Sequence, residues 1–486
     1  MRFNVTILQP PGYTPSLVFL EAAEHVLHIL RGLGHKADFH KNRILPGVVN
    51  VVFGAHLKMP EQIQYPKETV IFNTEQLTSN SSFVDQDYLE LLDTHYVWDY
   101  SQSNLSALHH DHKSEFPFTY VPELERLRSP ETKKFDLVFY GSMNARRQSI
   151  LEALAARGLK INVVNGLFAA DRDAIMMQGR ALLNLHYYDS QVFQQIRCFY
   201  PLINGIPVIS ENFPPDSAPK IYQDAILTPG EEDFVGYTVE LLRDKERFES
   251  ASKKAVTAFK SYDCIDQCEG LVEHTLQFLS VDESAPLPSS FGENVNIGSG
   301  ANYRPNWLNL DILGDGHGDI SLDLDCIQEF PVSVQHPLLG EIALTHSMCR
   351  VIDTHDVMAS VSHLDQFLAN CVEILREGGE LRAKLPYDLG AEAWSNASYR
   401  RAFNQNSWRR YTQTPWKLGW REWGLEQGDT HFHLSPLGGQ LKTNGAQLEQ
   451  LLDTPRAVDW MTLSFRKRKL TSVERTLALS GALDWA

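Results

Sequence analysis

A chain of 486 residues, 43% hydrophobic and 22% charged, has the composition of a soluble globular protein. Its length is that of about three domains. A formal net charge of −17 argues against general binding to nucleic acid, which needs Lys and Arg to neutralise phosphates.

No window approaches the roughly 18 uninterrupted apolar residues of a membrane span. The opening Met1-Arg2-Phe3-Asn4-Val5-Thr6-Ile7-Leu8 reads as a short strand rather than a signal peptide. Six cysteines are scattered from Cys198 to Cys371, with Cys264 and Cys268 at i,i+4 on an expected helix. Unpaired thiols fit a reducing cytoplasm, the expected location.

The first 120 or so residues alternate strand and helix signals. A strand at 5–8 meets the loop Gln9-Pro10-Pro11-Gly12, and an amphipathic helix over 17–33 stops at Gly34. Further strands are expected at 48–53, 69–73 and 95–98. A second α/β stretch begins near Phe135, with strands at 136–140, 160–164, 181–186 and 207–210. Helices are expected at 146–157, 173–178 and 192–203, and again up to about 279. Residues 282–290, Asp-Glu-Ser-Ala-Pro-Leu-Pro-Ser-Ser, have linker composition. The pattern then restarts with a strand at 294–297, a glycine turn and a strand at 307–312. The expected domains are 1–122, 123–281 and 292–486, joined by a linker at 282–291.

Two α/β units of this size make a cleft at their sheet ends, where ligands of such folds bind. Gly141-Ser142 follows a strand and precedes a helix, so its backbone N–H groups can cradle a diphosphate. Arg146 and Arg147 stand in the first helical turn, where cations oppose the helix dipole and an anionic partner would explain them. In the run from Phe193 to Glu211 a helix ends at Gly205 and a buried strand follows, with Glu211 at its end. A carboxylate there can accept both ribose hydroxyls, and Arg197 can reach phosphates as a charge-assisted donor.

The stretch 70–215 resembles bacterial GT-B glycosyltransferases of the group 1 type, including their spore-coat-associated branch. The likeness lies in Asn73-Thr74-Glu75-Gln76, in Val97-Trp98-Asp99-Tyr100-Ser101 with Asn104, and in Val138-Phe139-Tyr140-Gly141-Ser142 with Asn144, Arg146 and Arg147. Asn184-Leu185-His186-Tyr187-Tyr188 and the Asn204-to-Ser210 strand complete it. In that group an Arg on the helix and a Glu after the strand contact the nucleotide-sugar, which here implies Arg197 and Glu211. One departure is that Asn204 and Ile203 occupy the positions where many relatives carry an acid. The resemblance implies transfer of a sugar from a nucleotide-sugar donor to an acceptor hydroxyl, with no bound metal. An inverting enzyme also needs a general base. His56, Glu75 and Asp99, all expected at C-terminal strand ends, are the candidates.

In the last 200 or so residues, Val295-Asn296-Ile297-Gly298-Ser299-Gly300 is a strand and a turn that lets a nucleoside approach the backbone. Asp311 ends the next strand, where a carboxylate can bind ribose hydroxyls, and Asp323 or Asp325 is expected near an adenine. Residues 293–420 resemble a group of S-adenosylmethionine-dependent methyltransferases. The matching segments are Leu375-Arg376-Glu377-Gly378-Gly379-Glu380-Leu381, expected to end a helix, then Pro386-Tyr387-Asp388 and the segment from Ala402 to Trp408. Where relatives carry D-P-T-H this chain has Asn396-Ala397-Ser398-Tyr399, and His346-Ser347-Met348-Cys349-Arg350 replaces their E-H segment. Three readings follow: an active methyltransferase, an altered domain that still binds S-adenosylmethionine, and a structural module.

Other constellations carry less. Asp323-Leu324-Asp325, expected on a strand, has the form of a metal-nucleotide signature. Adjacent histidines in an exposed loop, as in His109-His110-Asp111-His112, usually hold no metal, and His431-Phe432-His433 lacks the third ligand that a zinc site needs. No metal is therefore expected. The run Arg466-Lys467-Arg468-Lys469 is of a kind that touches an anionic membrane or a phosphate-bearing acceptor. The alternation leading into it favours the exposed, charged end of a final strand. The expected architecture is α/β throughout: two Rossmann-like domains of a GT-B glycosyltransferase, then a Rossmann-like class I methyltransferase domain. The expected partner is a glycan or glycolipid acceptor in surface polysaccharide or glycoconjugate synthesis.

Overall fold

The computed structural model describes residues 1–60, 63–77, 83–188, 192–214, 217–262, 265–281, 291–300, 302–304, 307–312 and 318–480. The chain divides into two compact units, Met1–Ala285 and Pro286–Ala486. The expected linker lies, except for Phe291, outside the described residues. No helix among the described residues is long and apolar enough to cross a membrane.

The first unit holds two parallel sheets. β1 (Arg2–Ile7), β2 (Lys36–Lys41), β3 (Val49–Phe53), β4 (Thr69–Asn73), β5 (Tyr96–Asp99) and β6 (Lys113–Glu115) are ordered β2-β1-β3-β4-β5-β6. Every residue of β3 and β4 is buried, as befits strands covered on both faces. The second sheet contains β7 (Phe135–Tyr140), β8 (Ile161–Val164), β9 (Gly179–Asn184), β10 (Val208–Ser210) and β11 (Ile226–Leu227), ordered β11-β10-β9-β7-β8. In both sheets the second strand lies on one side of the first and the later strands on the other. The connections therefore diverge beside the first strand, and a crevice opens at its C-terminal end.

The sequence did not signal β2, β6 or β11, which lie at or next to sheet edges and lack long apolar runs. The helix expected over 17–33 begins as a 3-10 segment, Thr14–Phe19, with Pro15 in its first turn. It becomes α-helical only at Leu20–Gly32.

The two lobes of this unit share one core, in which Phe3 and Trp98 of the first sheet join Val138 and Leu182 of the second. The rings of Phe118 and Phe199 stack at 4.7 Å within it. Helix Ile265–Leu279 returns to the first sheet, where Trp98 Nε1 donates to Thr275 Oγ1 at 2.9 Å. Asn204, which replaces the expected acid, has a structural task. Its side-chain oxygen accepts from the backbone N–H of Arg126 and Leu127, and its amide donates to the Leu124 carbonyl.

A buried ion pair also joins the lobes. Arg172, in helix Ala169–Met176, donates to both carboxylate oxygens of Glu21, in helix Leu20–Gly32, at 3.1 and 2.8 Å. Their side chains are only 6% and 3% exposed, so neither charge is solvated.

The second unit is built on a seven-stranded sheet. Its strands are β12 (Asn294–Ile297), β13 (Leu308–Asp311), β14 (Ile320–Ser321), β17 (Cys349–His355), β18 (Leu375–Pro386), β19 (Trp423–Leu434) and β20 (Val458–Lys469). A separate hairpin is formed by β15 (Val332–His336) and β16 (Gly340–Leu344). The order is β14-β13-β12-β17-β18-β20-β19, parallel as far as β18, with β20 antiparallel to both its neighbours.

Three expectations need correction here. Leu375–Leu381 does not end a helix: helix Leu364–Ile374 stops before it, and the segment starts β18 with a register shift against β17. Asp323-Leu324-Asp325 lies in a turn after β14, where the Asp325 carboxylate accepts the backbone N–H of Ser362 and His363. The basic run at the end of β20 is only partly exposed. Lys467 is buried and donates to the Leu375 carbonyl at 2.6 Å, and Arg468 is bound to Glu474 through Nη1 and Nη2. Two of the four cations suited to an anionic surface are thereby taken.

Glu21→Ala should destabilise the first unit by about 3–5 kcal/mol, because Arg172 is left charged and buried. Because Arg172 also binds the buried Asp173 at 2.6 Å, the combined change Glu21→Leu, Arg172→Met and Asp173→Asn should recover most of that loss. Urea denaturation of the full chain, followed by tryptophan fluorescence, measures both.

Candidate active site

A cavity of about 310 Å³ lies between the two lobes of the first unit. The turn after β3 contributes His56, the turn after β4 contributes Thr74 and Glu75, and the turn after β7 contributes Gly141 and Ser142. Arg197 enters from helix Gln195–Ile203. Five of the nine residues proposed for sugar transfer thus line one space: His56, Glu75, Gly141, Ser142 and Arg197. The sequence reading missed Glu21, Arg172 and Tyr140, which also line it. A buried inter-lobe ion pair leaves no local signature in sequence.

Arg197 is the least conventional member. Its Nη1 donates to the Tyr140 carbonyl at 3.0 Å, and its guanidinium lies over the Phe139 and Tyr140 rings at 5.6 and 5.9 Å. Among the described residues no carboxylate contacts it, and burial pushes its pKa downward. A cation so placed lacks a counter-charge. Gly141 packs against this guanidinium in a backbone conformation that favours glycine. Its φ is +134°, and a Cβ there would lie 2.9 Å from Arg197 Nη1.

Glu75 and His56 face Arg197 from the first lobe. His56 Nε2 lies 3.5 Å from Glu75 Oε1, and the His56 ring packs edge-on against Phe19, Phe83 and Tyr88. The His56 side chain is 3% exposed and that of Glu75 19%, so Glu75 is the group that reaches the open cavity. Burial lowers the His56 pKa to about 4, and the ring is neutral at pH 7.

The other four residues sit elsewhere. Asp99 is fully buried and does not line the cavity, so it cannot touch a substrate; burial pushes its pKa up to about 7. Arg147 is buried and is spent on backbone, donating to the carbonyls of Ser142, Leu185 and His186. No anion is needed to explain it. Arg146 donates to Glu211 at 2.9 Å, and Glu211 also accepts the His186 N–H at 2.9 Å. These two charges satisfy each other outside the cavity.

In the second unit the strand connections diverge between β12 and β17, and the turn holding Gly298 and Gly300 follows β12 there. Gly298 has φ +71°, and a Cβ would lie 2.2 Å from Val357 Cγ2. Close packing therefore already requires glycine. Asp311 is 8% exposed, and its Oδ2 accepts the Gly300 N–H at 2.8 Å, so the acid closes the glycine turn. Asp323 accepts the Asp325 N–H within its own turn. A separate cavity of about 510 Å³ is lined by Arg304, Asp353, His355, Arg382, Lys384 and His431, among others, but by none of Gly298, Gly300, Asp311 and Asp323. Among the described residues no group of three or more His, Cys, Asp or Glu is arranged to hold a metal ion.

No protein-family model matches this chain. It is similar to uncharacterized proteins of Acanthamoeba polyphaga mimivirus. One is 31% identical over 153 residues, 30% of this chain and 21% of that protein. Another is 31% identical over 181 residues, 36% of this chain and 61% of that protein. The chain thus spans less than two thirds of the length of these curated relatives. Among solved structures it is similar to AviGT4, a glycosyltransferase involved in avilamycin A biosynthesis, at 12% identity and TM-score 0.34, covering 57% of this chain and 98% of that one. An alpha1,3-fucosyltransferase gives 11% identity and TM-score 0.36, covering 58% and 93%. T4 phage BGT, solved with UDP and Mn2+, gives 13% and 0.35, covering 57% and 99%. Likenesses this distant decide nothing about the chemistry of this chain.

Buried neutral histidines give the first unit a defined acid response. Burial lowers His25 to about 3 and His56 to about 4, both below the unperturbed 6.5. The unfolded chain then binds more protons than the folded one between those values, so stability is complete above about pH 6.5 and lost as pH falls toward 4. The urea midpoint of the first unit should drop across that window. His56→Gln should flatten the slope.

Proposed function

We propose that the first unit is a glycosyltransferase that moves a sugar from a nucleotide-sugar donor to an acceptor hydroxyl on a glycan or glycolipid. The observation that carries this reading is Arg197. Among the described residues it is a guanidinium without a carboxylate partner, set against a glycine turn where the strand connections diverge, and it shares a cavity with the Glu75 carboxylate. A nucleoside diphosphate supplies the missing counter-charge. Its phosphates would lie over the Gly141-Ser142 turn, ahead of helix Ala145–Ala156, whose N-terminal dipole favours anions. As the glycosidic bond to the diphosphate breaks, charge grows on the leaving oxygens, and Arg197 and the helix end stabilise it.

Glu75 takes the acceptor proton in this reading. It is the more exposed of the two facing groups, and neutral His56 stands behind it as an orienting partner. The Arg146–Glu211 pair supports the turn rather than the ribose. The resemblance of residues 70–215 to group 1 glycosyltransferases agrees with this reading, and the role in surface polysaccharide or glycoconjugate assembly rests on that resemblance alone. The five described cysteines are all unpaired, in keeping with a reducing, cytoplasmic setting.

For the second unit the proposal is a methyltransferase-like domain that binds S-adenosylmethionine at the turn after β12. Its strand order, with an antiparallel strand between the fifth and the last, agrees with the resemblance. The contact between Asp311 and Gly300 favours the alternative of a structural or docking module, because the acid is already engaged.

Thermal-shift screening against UDP-, GDP- and CMP-sugars should identify a stabilising nucleotide. Arg197→Ala should weaken its binding tenfold or more, about 1.5–3 kcal/mol, with the melting temperature nearly unchanged. Unaltered affinity would remove the main support for sugar transfer. For the second unit, calorimetry with S-adenosylhomocysteine separates the readings. Binding that Asp311→Ala abolishes supports the methyltransferase-like site, and no binding at millimolar ligand leaves a structural module.

A further inference from the structure

Asp99 stands at the end of β5, beside the turn that carries Glu75. Its carboxylate accepts from three donors: Asn73 Nδ2 at 2.5 Å, Ser101 N–H at 2.8 Å and Asn104 Nδ2 at 3.3 Å. Both amides then reach the backbone around Glu75. Asn73 Nδ2 and Asn104 Nδ2 each donate to the Glu75 carbonyl at 2.9 Å, and Asn73 Oδ1 accepts the Glu75 N–H at 3.1 Å. Asn104 Oδ1 accepts the Leu77 N–H at 3.1 Å, closing the far side of the turn. A fourth strand of the network runs to His56. Tyr88 donates its hydroxyl to Asn73 Oδ1 at 2.8 Å, and its ring packs edge-on against the His56 ring.

We infer that Asp99 is a positioning residue: one buried carboxylate orients Asn73 and Asn104, and through them fixes Glu75 and His56 toward the cavity. The chemistry calls for a carboxylate. Asp99 receives N–H donors on both oxygens, and a neutral amide has only one acceptor oxygen. Asn at this position would set donor against donor at Asn73 or at Ser101. Burial chiefly disfavours the charge, with Glu115 at the end of the adjoining β6 adding to it, and the three donors work against both. The network is buried, so its bonds are shielded from exchange with water and their loss is not made good by solvent.

This inference rests on the reading of Glu75 as the group that meets the acceptor, and the test separates the two. Hydrogen exchange in the full-length chain reads the turn without any ligand. Asp99→Asn should quicken exchange of the Glu75 and Leu77 amides at least about tenfold, with the β4 and β3 amides unchanged. Turnover of the stabilising nucleotide-sugar, taken from UDP-glucose, GDP-mannose or a CMP-sugar, gives the second readout. Asp99→Asn should lower kcat as far as Glu75→Gln does and leave KM in place, and the double variant should fall no further. Unchanged exchange and kcat in Asp99→Asn would overturn the inference. Should that variant fail to fold, Asn104→Ala removes one of the two amides and must quicken the Leu77 amide and lower kcat in the same sense; no change in either overturns the inference equally. If the exchange responds but none of these sugars is turned over, the positioning of the turn stands and the glycosyltransferase reading falls.

Discussion

The ion pair between Glu21 and Arg172 is the constraint from which the first unit takes its shape. Two parallel sheets, each with its own helices, need not hold a fixed angle, because interfaces between lobes are often small and polar. Here a bidentate pair is sealed between them, with Asp173 and the Tyr200 hydroxyl completing its bonds. Breaking it leaves a nearly buried charge short of a partner, a cost that adds to the apolar core the lobes already share. Both partners also line the cavity, which makes the joint and the cleft one construction.

Within that frame the two sheets bring their C-terminal edges to the same space. β3 and β4 deliver His56 and Glu75, and β7 delivers Gly141 and Ser142. The two sides differ in how they are held. The turn after β4 is gripped by a buried polar network, while Arg197 is held by one carbonyl and two aromatic faces. Such an arrangement suits a fixed acceptor-side carboxylate and a cation whose full partner arrives with the ligand.

The second unit uses similar parts differently. Its glycine turn also follows a strand beside the point where connections diverge, yet Val357 fills the space over Gly298 and Asp311 closes on Gly300. Where the first unit sets a guanidinium against its glycine turn, the second sets a carboxylate, and that carboxylate is bound to the turn.

What the sequence determined by itself was the alternation of strands and helices and the ends of the main strands. The strand expected at 69–73 appears with those bounds, and Gly141, Ser142, Arg197, His56 and Glu75 were all legible as candidates. Apolar runs and glycine stops are local signals, and strand ends in parallel sheets are where side chains face a crevice. The tertiary structure alone decided which charges remained available. Arg147, Arg146, Glu211 and Asp99 look as reactive in sequence as Arg197 and Glu75, but each is neutralised or enclosed by residues far along the chain. Hydrogen-bond satisfaction is a property of distant neighbours, such as Asn73 with Asp99 or Glu21 with Arg172, and no spacing along the chain encodes it.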